Sequence, residues 1–279
     1  MNALTVAQAL AQARASGVDR LDAQLLLARA MERPRSWLLA HDDAPLAAAQ
    51  AALYRAELTR RAAGEPLAYI VGEKEFHGLA LQVNADVLVP RPDTETLVDW
   101  ALELLRGPLV NLLSPRVVDL GTGSGAIALA LKRAMPHARL SASDASAAAL
   151  AVAGANARRL GLELDLHQGH WWDALAGRRF DLALSNPPYI ADGDVHLDAL
   201  QHEPPLALTS GTDGLDAIRQ IAERAHTHLA PDGWLLLEHG HDQADRVAAL
   251  FAQAGFTRVA SRRDLGGVLR CTGGCAAPR

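Results

Sequence analysis

Short apolar runs alternate with segments of helical periodicity along the second two thirds of the chain. The runs predict β-strands at residues 117–120, 139–143, 162–166, 180–185 and 234–238. The intervening and following segments predict helices at residues 126–134, 147–160, 215–229 and 243–254. Because strands alternate with helices, we expect a mostly parallel sheet that is covered by helices on both faces.

The first part of the chain has a different pattern. Residues 1–75 predict a small helical bundle, in which Asp19 can cap one helix and Gly64 can end another. Residues 76–90 carry apolar residues at alternating positions and predict a β-hairpin linker. Residues 91–279 form the predicted sheet domain, whose first helix starts at Pro92.

The composition narrows the class of protein. Of the 279 residues 49% are hydrophobic and the formal net charge is −5, which excludes a disordered chain. No run of lysine and arginine exceeds a pair, so nucleic acid is disfavoured as the principal partner. No membrane-spanning run or secretory signal is evident, and we expect a cytoplasmic protein with Cys271 and Cys275 as free thiols.

A glycine-rich turn follows the first strand of the sheet domain, with the sequence Gly121-Thr122-Gly123-Ser124-Gly125. Glycines at this place allow a sharp turn and a close approach to a ligand at the carboxyl ends of the strands. Asp144 ends the next strand, about 20 residues further on, where a carboxylate can accept both hydroxyls of an adenosine ribose. The pattern fits a dinucleotide or S-adenosylmethionine, and an ordinary ligand-free turn is the alternative. Asp119 either orients the turn or faces the cofactor.

A second motif, Asn186-Pro187-Pro188-Tyr189, directly follows the strand at residues 180–185. Consecutive prolines stiffen the chain and remove two backbone donors, so the motif predicts a rigid corner at a strand end. Such a corner suits methyl transfer to a planar nitrogen, because the Asn186 side-chain oxygen and the Pro187 carbonyl can accept both N–H bonds of an amide. Tyr189 would pack on the flat substrate group. The alternative is a structural proline turn with Tyr189 in the core.

These motifs together resemble the family of release factor glutamine methyltransferases. The resemblance covers nearly the whole chain and rests on the following segments: Gly64-Glu65-Pro66, Lys74-Glu75-Phe76, Pro90-Arg91-Pro92-Asp93-Thr94-Glu95, Asp119 to Gly125, Ser185 to Ile190, Glu203-Pro204 and Leu237-Glu238-His239-Gly240. It implies a Rossmann-like class I methyltransferase domain with a mostly parallel seven-stranded sheet. It also implies that the N-terminal helical domain, residues 1–75, helps to dock the protein substrate.

The same resemblance implies S-adenosylmethionine as the methyl donor, S-adenosylhomocysteine as its product, and no metal. The implied acceptor is the glutamine of the Gly-Gly-Gln motif in class 1 peptide chain release factors. The sequence carries no signal for an oligomer, so a monomer is the default expectation. The cofactor site falls on Gly121, Thr122, Gly123, Ser124, Gly125, Asp144, Trp171 and Asn186. The substrate site falls on Asn186, Pro187, Pro188 and Tyr189, of which Asn186, Pro187 and Tyr189 are the expected catalytic residues.

The chain departs from the family pattern before Trp171, where His170 stands in place of an acidic residue. Either His170 takes a related polar role near the adenine, or Asp173 compensates. Trp171 itself has a core position as its alternative. The C-terminal tail, residues 271–279, is atypical and we expect it to be dispensable.

Other polar residues permit two interpretations each. Arg91 either touches a ligand or forms a salt bridge in the linker, and Glu203 belongs either to a flap over the acceptor or to a solvated loop. Glu238, His239, His241 and Asp242 suggest metal ligands, but a surface loop is the favoured interpretation.

Three other functions are compatible with parts of the sequence. Methylation of a base nitrogen in nucleic acid uses the same corner but requires a basic cleft. An NAD(P)-dependent oxidoreductase would use the glycine turn and leave the corner at Asn186 without a role. A scaffold that binds release factors or ribosomes through its N-terminal bundle would need neither site.

Overall fold

The computed structural model describes residues 3–277. Contacts between α-carbons divide the chain after Gly72 into two compact units. None of the helices within residues 3–277 is long and apolar enough to cross a bilayer.

The first unit is a bundle of short helices. These are α1 (Val6–Ala15), α2 (Arg20–Met31), α3 (Arg35–Ala40), α4 (Ala48–Ala62) and α5 (Leu67–Val71). Thr5 and Gln8 form a capping box at the start of α1, and the Asp19 side chain accepts from Leu21 N at 2.7 Å at the start of α2. The bundle encloses its own apolar core, with Leu26, Leu27 and Tyr54 fully buried.

A β-hairpin opens the second unit. Strands β1 (Glu73–Phe76) and β2 (Leu79–Gln82) pair in antiparallel fashion around a turn at His77 and Gly78, both of which have positive φ. The hairpin thus begins before the predicted segment 76–90 and ends at Gln82. Strand β1 consists mostly of polar residues, so it lacks the alternation of apolar residues that predicts a strand. This explains why the hairpin was predicted to begin later than it does. Phe76 and two leucines of β2 pack into the core of the second unit.

Helices and strands then alternate through the second unit. The elements are a 3-10 helix at Pro92–Thr94, α6 (Glu95–Arg106), β3 (Arg116–Leu120), α7 (Ala126–Ala134), β4 (Arg139–Asp144), α8 (Ala147–Leu160), β5 (Asp165–Gln168), β6 (Phe180–Ser185), α9 (Asp216–His228), β7 (Leu229–Glu238), α10 (Ala244–Gln253), β8 (Thr257–Arg263) and β9 (Leu269–Cys275). Further 3-10 helices lie at Trp171–Leu175, Val195–Leu200 and Pro205–Ala207.

The seven strands β3–β9 form one sheet in the order β5-β4-β3-β6-β7-β9-β8. Strands β3 to β7 are parallel, whereas β9 runs antiparallel to both of its neighbours. Alternate residues of the central strands enter separate apolar clusters: Val117 belongs to one and Val118 to the other. Both faces of the sheet are therefore buried, and the expected seven-stranded, mostly parallel architecture is confirmed.

The C-terminal residues correct one expectation. Residues 271–275 belong to β9, which lies between β7 and β8 and is buried, so this part of the tail is not dispensable. Cys271 and Cys275 are free and buried, as expected of unpaired thiols. The sequence Thr272-Gly273-Gly274 has no apolar pattern, because the glycines provide space for neighbouring side chains instead of packing side chains of their own. Residues 278 and 279 lie outside the described part of the chain.

Candidate active site

A cavity of about 450 Å³ opens at the carboxyl edge of the parallel strands. Strand β3 lies between β4 and β6, so the segments that follow these three strands meet at one place. The glycine turn follows β3, Asp144 ends β4 and Asn186 follows β6. This edge is where ligands bind in open α/β sheets. The sheet order therefore brings both sequence motifs to a single cavity.

The glycine turn has the backbone conformation that its residues predict. Gly121, Gly123 and Gly125 have φ values of +71°, +54° and +83°, which are unfavourable for residues with a Cβ. The backbone N–H groups of Gly121 and Thr122 donate to the Ser143 carbonyl at 2.8 and 3.0 Å, so β4 holds the turn in place.

Four of the five turn residues line the cavity. The lining residues of the turn are Gly121, Thr122, Gly123 and Ser124. Gly125 instead begins α7 as its N-cap, and a Cβ at this position would lie 3.0 Å from Leu129 Cδ1 and 3.3 Å from Ala153 Cβ. Gly125 thus permits close packing of α7 on α8 without lining the cavity.

Asp144 lines the cavity and holds two loops together. Its Oδ2 accepts the backbone N–H of Gly123 at 2.9 Å, and its Oδ1 accepts that of Ser146 at 2.9 Å. A carboxylate has about four lone-pair directions, so two acceptor positions are left for a ligand. These two bonds fix the carboxylate beside the turn.

Trp171 and His170 also line the cavity. Trp171 has φ +44°, a strained value for a residue with a large side chain and one that is common at functional sites. The next residue, Trp172, is fully buried and donates from Nε1 to the Ile221 carbonyl at 2.9 Å. Asp173 pairs with Arg224 at 2.7 Å, so His170, and not Asp173, is the polar neighbour of the cavity on this side.

Asp119 lies below the turn, outside the cavity lining. It is completely buried, and Thr122 Oγ1 donates to its Oδ2 at 2.6 Å. Burial raises the pKa of the Asp119 carboxyl to about 7, and the bond from Thr122 opposes this shift. Asp119 therefore orients the turn through the Thr122 hydroxyl, which is one of the two roles considered for it.

The Asn-Pro-Pro-Tyr corner is held by side chains from other elements. Asn186 and Pro188 line the cavity, whereas Pro187 is buried beside them and Tyr189 lies outside the lining. Asn186 Nδ2 donates to Thr94 Oγ1 at 3.2 Å. The Tyr189 hydroxyl donates to Glu238 Oε1 at 3.4 Å, and burial together with the Glu238 charge raises the pKa of Tyr189.

Arg91 and Glu203 form an ion pair next to the cavity. Glu203 is only 4% exposed and also accepts the backbone N–H of Val89 at 3.0 Å. The interpretation of Glu203 as a solvated loop acid is therefore wrong. These two contacts connect the loop that carries Glu203 to Val89 and Arg91, which precede α6. Arg91 and Pro204 both line the cavity.

Glu238 and His239 also differ from the expected surface loop, because both are buried at the end of β7. The His239 ring nitrogens lie 2.9 Å from the Gly240 carbonyl and 2.9 Å from Thr272 Oγ1, whereas His241 and Asp242 are exposed. Within residues 3–277 no group of three or more potential metal-binding side chains comes together.

Several lining residues escaped the sequence analysis as individual side chains. They are Asp86, Val87, Thr94, Ser210, Ala217 and Gln220. Only Thr94 belongs to one of the motifs that carry the family resemblance, namely residues 90–95. The others come from segments without motifs and reach the cavity only through the tertiary fold.

A mostly parallel sheet whose single antiparallel strand is inserted next to one edge, with a cavity at the carboxyl ends of the parallel strands, defines the class I methyltransferase fold. Residues 94–203 match the family model described as methyltransferase small domain, and residues 2–72 match the PrmC N-terminal domain. A methyltransferase from Pyrococcus furiosus has this fold, with a TM-score of 0.53, 16% identity and coverage of 72% of this chain and 90% of that one. The Thermus thermophilus 16S rRNA methyltransferase RsmC, solved with AdoMet and guanosine, has a TM-score of 0.52, 18% identity and coverage of 73% and 49%.

Sequence comparison identifies relatives that are much more similar to this chain than these two structures are. The chain is 49% identical to the release factor glutamine methyltransferase of Bordetella pertussis over 92% of this chain and 95% of the relative. The chain therefore belongs to the family of release factor glutamine methyltransferases.

Proposed function

We propose that this enzyme transfers a methyl group from S-adenosylmethionine to the side-chain amide nitrogen of a glutamine in class 1 peptide chain release factors. The glutamine is that of the Gly-Gly-Gln motif. The observation that carries the proposal is the shared cavity, which the glycine turn and Asn186 line together. Such an enzyme would act in the cytoplasm, where release factors work.

The residues of the turn fit the proposed cofactor. A Cβ at Gly123 would meet no protein atom within 4 Å, so the backbone at this point is open to a ligand. The remaining lone pairs of Asp144 suit the ribose hydroxyls, and Trp171 and His170 suit the adenine. When bound, S-adenosylmethionine supplies a methyl group that its sulfonium already activates. The protein therefore has to position an acceptor beside it and does not need a strong base.

The corner at Asn186 provides this positioning. An amide nitrogen is a weak nucleophile because its lone pair is delocalised into the carbonyl group. If Asn186 Oδ1 and the Pro187 carbonyl accept the two N–H bonds of the glutamine, the amide plane has a fixed direction in the cavity. Buried Pro187 and hydrogen-bonded Tyr189 keep this corner rigid. Packing of the Tyr189 ring on the substrate amide is part of the same proposal.

The substrate is tested by incubating the enzyme with methyl-labelled cofactor and a class 1 release factor. We expect label in the native release factor and none when the motif glutamine is changed to alanine. Equal labelling of the two proteins would contradict the proposal. Calorimetric titration with S-adenosylhomocysteine and with NADH tests the cofactor independently, and only the former is expected to bind.

The corner is tested with Asn186→Ala. We expect kcat to fall by roughly two to four orders of magnitude, as for the loss of an oriented group in a preorganised site. The affinity for S-adenosylhomocysteine should change far less. A variant with near-normal kcat would show that the corner has only a structural role.

A further inference from the structure

A long segment, residues 191–208, follows the Asn-Pro-Pro-Tyr corner and then returns to it. The Ile190 N–H donates to the Leu208 carbonyl at 3.0 Å, and the Ser210 N–H donates to the Ile190 carbonyl at 2.9 Å, so both ends of the segment lie beside Ile190. Between its ends the chain forms only two short 3-10 helices. We call residues 191–208 the strap. Three residues of the strap line the cavity, namely Pro204, Leu206 and Ala207.

The middle of the strap is anchored by one carboxylate. Within the strap only Glu203 and Leu208 are buried, and Leu208 lies at its end. Glu203 Oε2 accepts the backbone N–H of Val89 at 3.0 Å, and Oε1 accepts from the Arg91 guanidinium. A segment with so few buried apolar residues gains little stability from packing. The bonds of Glu203 therefore contribute a large share of what holds the strap in place.

The partners of Glu203 belong to residues 89–94, a segment that also contacts the corner. Within this segment, Thr94 Oγ1 accepts from Asn186 Nδ2 at 3.2 Å. The strap is joined to the corner through Ile190 and to residues 89–94 through Glu203. The corner, residues 89–94 and the strap thus form a closed ring of contacts, and all three contribute to the lining of the cavity.

We propose that Glu203 is a positioning residue for the acceptor, because it joins the strap to residues 89–94 and so holds the wall of the cavity that receives the substrate loop beside Asn186. This inference rests on the proposed function of Asn186. Both carboxylate oxygens of Glu203 already accept hydrogen bonds and the residue is buried, so it acts on the acceptor through the strap and not by touching it. Leu206, which is 62% exposed and lines the cavity, is the strap residue that presents an apolar side chain to an incoming protein loop.

The residues proposed to bind the cofactor are held by other contacts. The glycine turn is held by the Ser143 carbonyl of β4, and the Asp144 carboxylate is held by the N–H groups of Gly123 and Ser146. These contacts do not involve the strap. Loss of the Glu203 anchor should therefore weaken binding of the acceptor and leave binding of the cofactor intact.

The first test compares Glu203→Ala with Glu203→Gln. The alanine variant loses both bonds, whereas the glutamine variant keeps an oxygen for the Val89 N–H and loses the charge opposite Arg91. We expect KM for the release factor to rise about tenfold to a hundredfold in Glu203→Ala and by less in Glu203→Gln. In both variants, kcat and the affinity for S-adenosylhomocysteine should stay within about threefold of the native values, because the loss concerns acceptor binding.

Asp198→Ala is the matched control, because Asp198 is an exposed carboxylate of the same strap. Its KM should remain within about threefold of the native value, as expected for an exposed charge. Three results would overturn the proposal: a native KM in Glu203→Ala, an equal rise of KM in Asp198→Ala, or a loss of cofactor affinity as large as the rise in KM.

The second test follows the strap itself and does not depend on turnover. Hydrogen exchange of the full-length protein, read by mass spectrometry, reports local opening of a chain segment. We expect peptides from residues 191–208 to exchange faster in Glu203→Ala than in the native protein, and peptides that contain residues 121–125 to exchange at the native rate. Unchanged exchange of the strap would overturn the proposal. If the native enzyme does not methylate the release factor, the proposed function fails, whereas the exchange measurement still decides whether Glu203 anchors the strap.

Discussion

The ring of Trp171 lies against the backbone of Gly121. A Cβ added at Gly121 would approach Trp171 Cζ3 to 3.1 Å. Both residues have positive φ, +71° for Gly121 and +44° for Trp171, so neither backbone is free to move away at low cost. The glycine turn and the tryptophan segment are therefore packed against each other where both line the cavity.

This contact predicts that Gly121→Ala weakens cofactor binding. The added methyl group would displace the Trp171 ring, and the positive φ adds backbone strain of about 1 kcal/mol. We expect the affinity for S-adenosylhomocysteine, measured by calorimetry, to fall at least about tenfold, with an altered tryptophan fluorescence spectrum. The tenfold loss corresponds to about 1.4 kcal/mol.

Gly161→Ala is the matched control for Gly121→Ala. Gly161 has φ +65° at the C-terminus of α8, and a Cβ there would meet no atom within 4 Å. It should lower stability by about 1 kcal/mol through the same backbone strain and leave affinity unchanged. Equal affinities for the native protein and Gly121→Ala would show that the contact with Trp171 has no part in binding.

Asp144→Asn is expected to reduce cofactor affinity by about tenfold to a hundredfold. The substitution removes the charge and one of the two acceptor oxygens that hold Gly123 and Ser146, and charged hydrogen bonds contribute roughly 1.5–3 kcal/mol. Calorimetry with S-adenosylhomocysteine measures the change. Asp165→Asn is the control, because Asp165 begins β5, the strand beside β4, at the amino ends of the parallel strands and outside the cavity lining, where it pairs with Arg178. If both variants bind as the native protein does, Asp144 is not part of the ribose site.

The local pattern of apolar residues predicted much of the fold. The helices at Ala126–Ala134 and Ala147–Leu160 and the strand at Phe180–Ser185 have the bounds predicted from periodicity and turn residues. Strand β9 was missed because its buried residues Thr272, Gly273 and Gly274 lack an apolar signature. A strand whose neighbours provide the bulk of the packing cannot be recognised from its own residues.

The candidate site, like the fold, was predicted from the sequence only in part. The glycine turn and the Asn186 corner follow directly from local chemistry, whereas the hydrogen bonds from Asn186 to Thr94 and from Tyr189 to Glu238 join residues that are far apart in sequence. Glu203 and Glu238 were assigned to loops because burial of a carboxylate depends on partners that only the tertiary structure provides. Sequence patterns thus identify the motifs that line the cavity more readily than the side chains that hold them in place.

The buried carboxyl of Asp119 predicts a pH-dependent difference in stability between the native protein and Asp119→Asn. Its pKa is raised from 3.8 to about 7, so the folded state holds a proton that the unfolded state has released. The associated stability is present below pH 3.8 and is lost as the pH rises to about 7. Asp119→Asn stays neutral, so its stability relative to the native protein should rise by at most about 1.4 kcal/mol per pH unit over this range.

Urea unfolding of both proteins between pH 5 and pH 9 measures this difference, and Glu238 contributes equally to the two curves. We expect the difference in unfolding free energy to change below about pH 7 and to be constant above it. A constant difference across the whole range would mean that Asp119 does not titrate in the folded protein near neutrality. Glu103→Gln is a suitable control, because Glu103 forms a partly exposed ion pair with Arg262 that lowers its pKa, and its effect should lie at lower pH.

The packing of β9 predicts that Gly273→Val destabilises the second unit. A Cβ at Gly273 would collide with Leu236 Cδ2 and would lie 2.8 Å from Trp100 Cη2, both of which belong to the buried core. Overpacking of this kind costs roughly 1–3 kcal/mol, because the neighbouring side chains must leave their preferred rotamers. Gly267→Ala is the control in the preceding turn: its φ is +81° but its surroundings are open, so only backbone strain of about 1 kcal/mol is expected. Thermal unfolding distinguishes the two effects, and a Gly273→Val protein as stable as the native one would mean that β9 does not pack between β7 and β8 as described.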